Sequence, residues 1–307
     1  MSSVPAVRRS LTGARATWRD AYARSSMLAA RASRASRLRA IAAGLLPQEI
    51  AVLHSGGGRH ASGLFSEFAS VLGFLDHYER WRRCYAGVLV DYRDGLYAEP
   101  AAGSNWWNSY FTPIAMRHAD GPLRAVGQSY HDLCANHVER TMVRGRAADL
   151  VDRYIGAAPH VHAMVDEFVA RHWQGAAVIG VHYRGTDKVI DARRVPYDEV
   201  AAKIDDRLSA AGRHGKVFVA TDEDAFVEFV RGRFPGRVVA RDMFRSSDGR
   251  PIDIVNDDGN YRKGLDAVVD CLLLSRTDFL IRTASNLGLC ATFFNRLLPA
   301  VLLNPER

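Results

Sequence analysis

Between residues 176 and 303, five short apolar runs alternate with four stretches whose apolar residues recur at helical spacing. The runs are Ala176 to Tyr183, Lys216 to Ala220, Arg237 to Ala240, Asp278 to Ile281 and Ala300 to Leu303. Each is too short for a typical helix and rich in branched apolar side chains, so each reads as a buried strand. Residues 197–210, 222–233, 261–276 and 285–298 read as helices, the first starting just after Pro196. Strands that alternate with helices imply a parallel, doubly wound α/β sheet. Such crossovers are right-handed almost without exception, which leaves few topologies open.

The first half is less regular. Glu49 to His54 is an apolar run that ends at Gly56-Gly57-Gly58, and Ala61 to Leu75 carries Leu64, Phe65, Phe68, Val71, Leu72 and Leu75 at helical spacing. Strand, glycine turn and helix are expected there. A second run, Gly87 to Val90, ends in Asp91. Residues 94–130 are rich in Gly, Pro and aromatics and read as a long connection centred on Trp106, Trp107, Tyr110 and Phe111. Those rings suit either stacking on sugars or plugging a hydrophobic gap. Helices follow at 133–155 and 160–173, with a hinge at Ala157-Ala158-Pro159. A chain of 307 residues is long enough for two domains. The expected division is an arm over 1–48, an N-terminal domain over 49–158 and a C-terminal domain over 159–307.

The net charge of +7 is concentrated in the arm. Residues 1–48 hold nine arginines and one acid, so they carry +8 and the remaining 259 residues carry −1. A fold of balanced charge offers no basic face that composition can reveal, so nucleic acid is not an expected partner. The arm suits a solvated tail or peripheral contact with an anionic membrane. It lacks the long apolar core of a secretory signal, and ordered structure is expected to begin near residue 49. The four cysteines, Cys84, Cys134, Cys271 and Cys290, form no C-x-x-C pair. That argues against a zinc cluster or disulfide scaffold and for a reducing, cytoplasmic-type compartment, with membrane association through the arm as its variant.

In open parallel sheets, ligands bind beyond the carboxyl ends of the strands. The residues there are His182 to Lys188, Thr221-Asp222, Arg241-Asp242 and Arg282 to Asn286. Arginine pairs with phosphate through two parallel hydrogen bonds. Ser285 opens a helix whose first N–H groups suit an anion, and it is equally a plain N-cap. The chain has neither a Walker A motif nor G-x-G-x-x-G, so neither a P-loop nor a standard NAD site is supported.

The stretch Val178 to Val189, VIGVHYRGTDKV, resembles the first motif of the α1,6-fucosyltransferase family. That family joins bacterial nodulation fucosyltransferases and the eukaryotic core fucosyltransferase, with protein O-fucosyltransferases as more distant relatives. Val217 to Asp222 resembles its second motif. Val269-Asp270, Leu273 to Phe279 and Thr283 to Asn286 resemble its third. The resemblance implies a GT-B fold, two Rossmann-like domains facing each other across a cleft. It implies an inverting enzyme with no metal and no separate cofactor, taking a GDP-fucose donor and a glycan or glycoconjugate acceptor.

Carried over by position, Arg184 holds the donor β-phosphate. Asp270 accepts from the guanine N1–H and 2-amino group, His182 frames the base, and Ser285 sits by the pyrophosphate. Asp222 closes the second motif, and Gly57 and Gly58 face the donor from the other domain. Two positions depart from the family pattern. Gly185 stands where the family has its second arginine, and Ala192 stands where it has a glutamate proposed as base. Asp191, next to Ala192, becomes the expected base, with Glu67, His60 and Asp91 as rivals. Arg184, Asp191 and Lys188 are the catalytic candidates. The departures keep two alternatives open, a transferase using another GDP-sugar and a non-catalytic GDP-sugar-binding protein.

Overall fold

A computed structural model describes residues 33–55, 63–99, 105–126, 142–186, 193–212, 214–250 and 259–305. Two sheets organise them. The first contains β1 (Glu49–Leu53), β2 (Tyr85–Val90), β3 (Ala115–Arg117) and β4 (Leu123–Val126), in the order β3-β2-β1-β4. β1 runs parallel to β2 and β4, while β3 is an antiparallel edge strand. The second contains β5 (Val178–Tyr183), β6 (Lys216–Thr221), β7 (Val238–Ala240), β8 (Phe279–Arg282) and β9 (Ala300–Leu302), in the order β7-β6-β5-β8-β9. All of its pairings are parallel. Chain order reverses between β5 and β8, so the crevice of a doubly wound sheet lies at their carboxyl ends.

The helices are α1 (33–42), α2 (Leu64–Arg80), α3 (Arg144–Tyr154), α4 (Pro159–His172), α5 (Tyr197–Ala211), α6 (Asp224–Arg233), α7 (Asn260–Ser275) and α8 (Asn286–Phe294). All five strands expected in the second half are present, with ends shifted by a residue or two. The expected helix over 222–233 begins instead at Asp224, because Asp222 and Glu223 serve the loop described below. The last expected helix stops at Phe294.

Three points of the first half are decided by the structure, two as corrections and one as a choice between open alternatives. Ordered structure begins by residue 33, where 49 was expected. Within the basic arm, α1 buries Leu38 and Ile41 on the first sheet's core. The Cys84 Sγ–H donates to the Leu38 carbonyl, and Arg37 pairs with the buried Glu49. An arginine-rich segment can dock in this way because two apolar residues three apart share one helix face. Residues 1–32 lie outside the described residues. Second, the long connection contains β3 and β4, whose three or four residues give too short an alternation to read. Third, the aromatic cluster is a plug. Trp106, Trp107, Tyr110 and Phe111 are all buried, Trp107 packs 4.6 Å from Phe111, and Phe68 lies 5.4 Å from Phe294 between ring centroids. Buried this way, the rings weld the two halves and are not free to stack on a sugar.

The halves are joined by polar contacts as well. The Tyr110 hydroxyl donates to the Tyr261 carbonyl at 3.1 Å, and Glu99 accepts from the Tyr261 N–H at 2.7 Å. Asn286, at the start of α8, donates to the Ser66 hydroxyl on α2 at 2.7 Å. The start of α2 is thereby held against the start of α8. Gly57 and Gly58 themselves lie outside the described residues. Among the described residues, no helix is long and apolar enough to cross a membrane. Cys84, Cys271 and Cys290 are buried free thiols.

Candidate functional site

The site is built first by the turn that leaves β5. Asp222, at the end of β6, is buried and gathers this turn around its carboxylate. It accepts from the Gly185 N–H at 3.0 Å and the Thr186 hydroxyl at 2.6 Å, and it pairs with Arg184 Nε at 3.1 Å. The Arg184 N–H in turn donates to the Thr283 hydroxyl at 2.9 Å, beyond the end of β8. One carboxylate and one hydroxyl thus fix both the backbone and the guanidinium of Arg184. Charge-assisted bonds of this kind are the strong ones.

Gly185 is required by its neighbour. A Cβ at that position would lie 2.2 Å from the Glu223 carboxyl carbon. Glu223 is itself buried, accepts two bonds from Arg194 at 2.9 and 3.1 Å, and accepts from the Tyr197 hydroxyl at 2.7 Å. Arg194 also donates to the Gly185 carbonyl at 3.2 Å. A carboxylate therefore occupies the space that any side chain at 185 would enter.

A pocket opens beneath this turn. His182, Arg184, Thr221 and Asp222 line it from the strand ends, Met243 and Phe244 from the loop after β7, and Leu287 from α8. Lys263, Asp266, Ala267 and Asp270 line it from one face of α7, and Tyr97 reaches it from the first half of the chain. The Tyr97 hydroxyl accepts from the Leu64 N–H at 3.0 Å, which ties that wall to the start of α2.

The floor is charged and buried. Arg241 donates to Asp266 at 2.6 Å and to Asp270 at 3.2 Å, and all three side chains are buried. Arg262 adds a bond to Asp266 at 3.1 Å. Burial pushes the Asp270 carboxyl up from its ordinary range, and Arg241 pulls it back. A buried acid needs such a partner, since an unpaired one is costly.

His182 is buried at the end of β5, and burial holds its pKa down to about 3, with Arg184 and Arg282 adding to the effect. Among the described residues its Nδ1 has no hydrogen-bond partner, and a Cβ on Gly288 would lie 3.0 Å from it. A proton on Nδ1 would be an unsatisfied buried donor. Ser285 acts as the N-cap of α8, its hydroxyl accepting from the Leu287 N–H at 3.3 Å.

The depressed histidines have a consequence for stability. His77, bonded to the Tyr85 hydroxyl, is likewise held at about 4 by burial and by Arg34 and Arg80. Below the ordinary value of 6.5 the unfolded chain takes up protons that the folded chain refuses. Stability is therefore complete above that value and falls as pH drops from it toward the folded values. Urea denaturation at about pH 5 should give an unfolding free energy lower than at about pH 7.5 by on the order of 1–2 kcal/mol per histidine. Replacing both histidines by glutamine should flatten that slope, and an unchanged slope would show that other groups set it.

Of the residues singled out in the sequence, the structure brings His182, Arg184, Asp222 and Asp270 to one pocket, while Ser285 caps the helix whose Leu287 lines it. Asp191, Lys188, Gly57, Gly58 and His60 lie outside the described residues. Glu67 is buried on α2, and Asp91 is held by Arg93 at 2.8 and 3.0 Å. Sequence reasoning missed Asp266, Lys263 and Tyr97. The signal for the first two was present: Lys263, Asp266 and Asp270 form a polar stripe at helical spacing, and the last two interrupt the apolar run Leu265 to Leu274. Nothing local marked Tyr97. Among the described residues, no group of three or more His, Cys, Asp or Glu is arranged to hold a metal ion.

The model of the family Nodulation protein Z (NodZ) matches residues 133–304. Nodulation protein Z of Azorhizobium caulinodans is 32% identical over 132 residues, which are 40% of this chain and 40% of that protein. The match thus spans less than half the length of the curated relative. Among solved structures, NodZ α1,6-fucosyltransferase soaked with GDP-fucose aligns at a TM-score of 0.54 and 16% identity, covering 85% of this chain and 99% of that one. The same enzyme co-crystallised with GDP aligns at 0.52 and 16%, covering 83% and 94%. Fucosyltransferase NodZ from Bradyrhizobium aligns at 0.54 and 16%, covering 85% and 99%. These likenesses establish the GT-B fold expected from the sequence.

Proposed function

This chain belongs to the Nodulation protein Z family, and on that premise we propose that it transfers fucose from GDP-fucose to a hydroxyl of a glycan or glycoconjugate, with inversion and without a bound metal. The observation that carries the reading is the pocket at the β5/β8 crevice. It combines a buried carboxylate, Asp270, with a rigidly held arginine, Arg184. Guanine presents two adjacent donors, N1–H and the 2-amino group, and a carboxylate is their natural acceptor. In this reading residues 159–307 hold the donor, and residues 49–158 hold the acceptor.

The chemistry follows from charge. The acceptor oxygen bonds to the anomeric carbon as the bond to the β-phosphate oxygen breaks, and the electron pair leaves with GDP. The acceptor proton goes to a base, which we assign to Asp191, beside the motif. The growing charge on the diphosphate needs preorganised positive groups. Arg184, fixed by Asp222, and the first turn of α8, capped by Ser285, supply them. Asp222 acts by positioning. Lys188 belongs to the same motif, and Gly57 and Gly58 let the backbone of the opposite domain approach the donor.

One observation favours a second reading. Glu223 fills the space beside Gly185, so that position offers a carboxylate where a cation would help the leaving group. A GDP-sugar-binding protein without transfer, or one using another GDP-sugar, would fit that feature. A panel of nucleotide sugars, incubated with the protein and mixed glycan acceptors, separates these. The proposal expects GDP release and acceptor fucosylation with GDP-fucose alone. Preferred release from another GDP-sugar would change the sugar assignment. Tight GDP-fucose binding with no transfer to any acceptor would favour the binding protein.

A further inference from the structure

The charges of the pocket leave one ammonium over. Asp266 and Asp270 are both engaged by Arg241, and Asp266 also by Arg262. Arg184 is engaged by Asp222. Lys263 lies on the first turn of α7, on the same face as those two acids, and is only half-buried in the pocket wall. Among the described residues its ammonium has neither a hydrogen-bond nor an ion-pair partner. It is one of only four lysines in a chain with 37 arginines, so its presence is not a matter of general composition.

A cation that lines a partly desolvated pocket without an anion is stabilised when an anionic ligand arrives, and the attraction is stronger there than in open water. Lysine is a compact point charge on a flexible stem, which suits a phosphate whose oxygens are equivalent. The acidic floor is already neutralised by arginine, so it does not cancel this field. We propose that Lys263 is a second phosphate-binding cation of the pocket, holding the nucleotide's phosphates from the α7 wall while Arg184 holds them from the β5 turn. The inference rests on the guanine-nucleotide reading above and adds a residue and a wall to it.

Calorimetry with a ladder of probes tests it. Guanosine, GMP and GDP would be titrated at one ionic strength into the wild type, Lys263→Met, Lys263→Arg and Lys203→Ala. The last removes an equal charge from α5, where Lys203 pairs with Asp206 on the surface. Lys263→Met keeps most of the aliphatic stem and should weaken GDP roughly tenfold, as expected for losing one charge-assisted contact. Guanosine should change less than about twofold, because only the phosphate contact is lost. Lys263→Arg should keep most of the GDP affinity, and Lys203→Ala should match the wild type.

Three results would overturn the proposal while leaving the nucleotide reading intact. These are unchanged GDP affinity in Lys263→Met, an equal loss for guanosine and GDP, or an equal loss in Lys203→Ala. A wild type that binds none of the three probes would overturn the nucleotide reading, and the lysine assignment with it.

Discussion

Replacing Arg184 by alanine should lower fucosyl transfer by roughly 100-fold or more, the scale seen when a preorganised donor to a developing anion is removed. The argument rests on when the charge appears. The donor diphosphate is already anionic, but it gains negative charge only as the glycosidic bond breaks. A contact that strengthens with that gain lowers the barrier and not merely the binding energy. The surroundings of Arg184 suit this proposed role. Its backbone N–H is held by Thr283 and its guanidinium by Asp222. The group therefore needs little reorganisation when the charge arrives. Arg184→Lys should rescue little, because a point charge cannot reproduce the planar fork or its bond to Asp222. Turnover and KM measured separately decide the matter. A loss confined to KM would mean that Arg184 binds the donor and transition state equally.

Asp270→Ala should remove most of the thermal stabilisation that GDP confers. A ligand stabilises the fold according to its affinity, so if Asp270 reads guanine as proposed, losing its two hydrogen bonds shows as a smaller shift. The same substitution leaves Arg241 with Asp266 as its remaining carboxylate partner. The variant itself should therefore melt lower, since breaking one arm of a buried ion network is costly, on the order of 3–5 kcal/mol. Asp270→Asn separates the effects. It keeps the volume and one acceptor oxygen for Arg241, so the fold should recover more than the GDP response does. If Asp270→Asn and Asp270→Ala respond to GDP as the wild type does, the base is held elsewhere.

What was legible in the sequence follows from how far each signal reaches along the chain. The C-terminal sheet was readable because each buried parallel strand is a local apolar run and each helix carries its own period. β3 and β4 were not, because three or four residues on a sheet edge make no pattern. The aromatic region was ambiguous for a different reason. Composition shows that Trp106 and Trp107 bury much surface but not against what, and their partners, among them Phe68, lie far away in sequence. The arm misled because charge dominates its composition, while Leu38 and Ile41, two apolar residues in a basic segment, bury α1 on the core.

The site divides in the same way. His182, Arg184 and Asp222 follow strand ends, so topology brought them to one rim. Asp270 required the motif resemblance. Its pairing with Arg241 joins residues 29 apart, and the same holds for Glu223, whose carboxylate explains Gly185 from across the turn. Such contacts exist only once the sheet has formed.

The central claim is that the crevice between β5 and β8 is a guanine-nucleotide pocket read by Asp270. Its most direct test is calorimetric titration of the wild-type protein with GDP, UDP and ADP at equal concentration and ionic strength. The three share a diphosphate and differ in the base, so Arg184 and any other cation act on all of them alike. Only the base edge distinguishes them, and only guanine offers two adjacent donors to a carboxylate. The account predicts that GDP binds at least roughly tenfold more tightly than either, a difference of about 1.4 kcal/mol or more. Equal binding of UDP or ADP would contradict it.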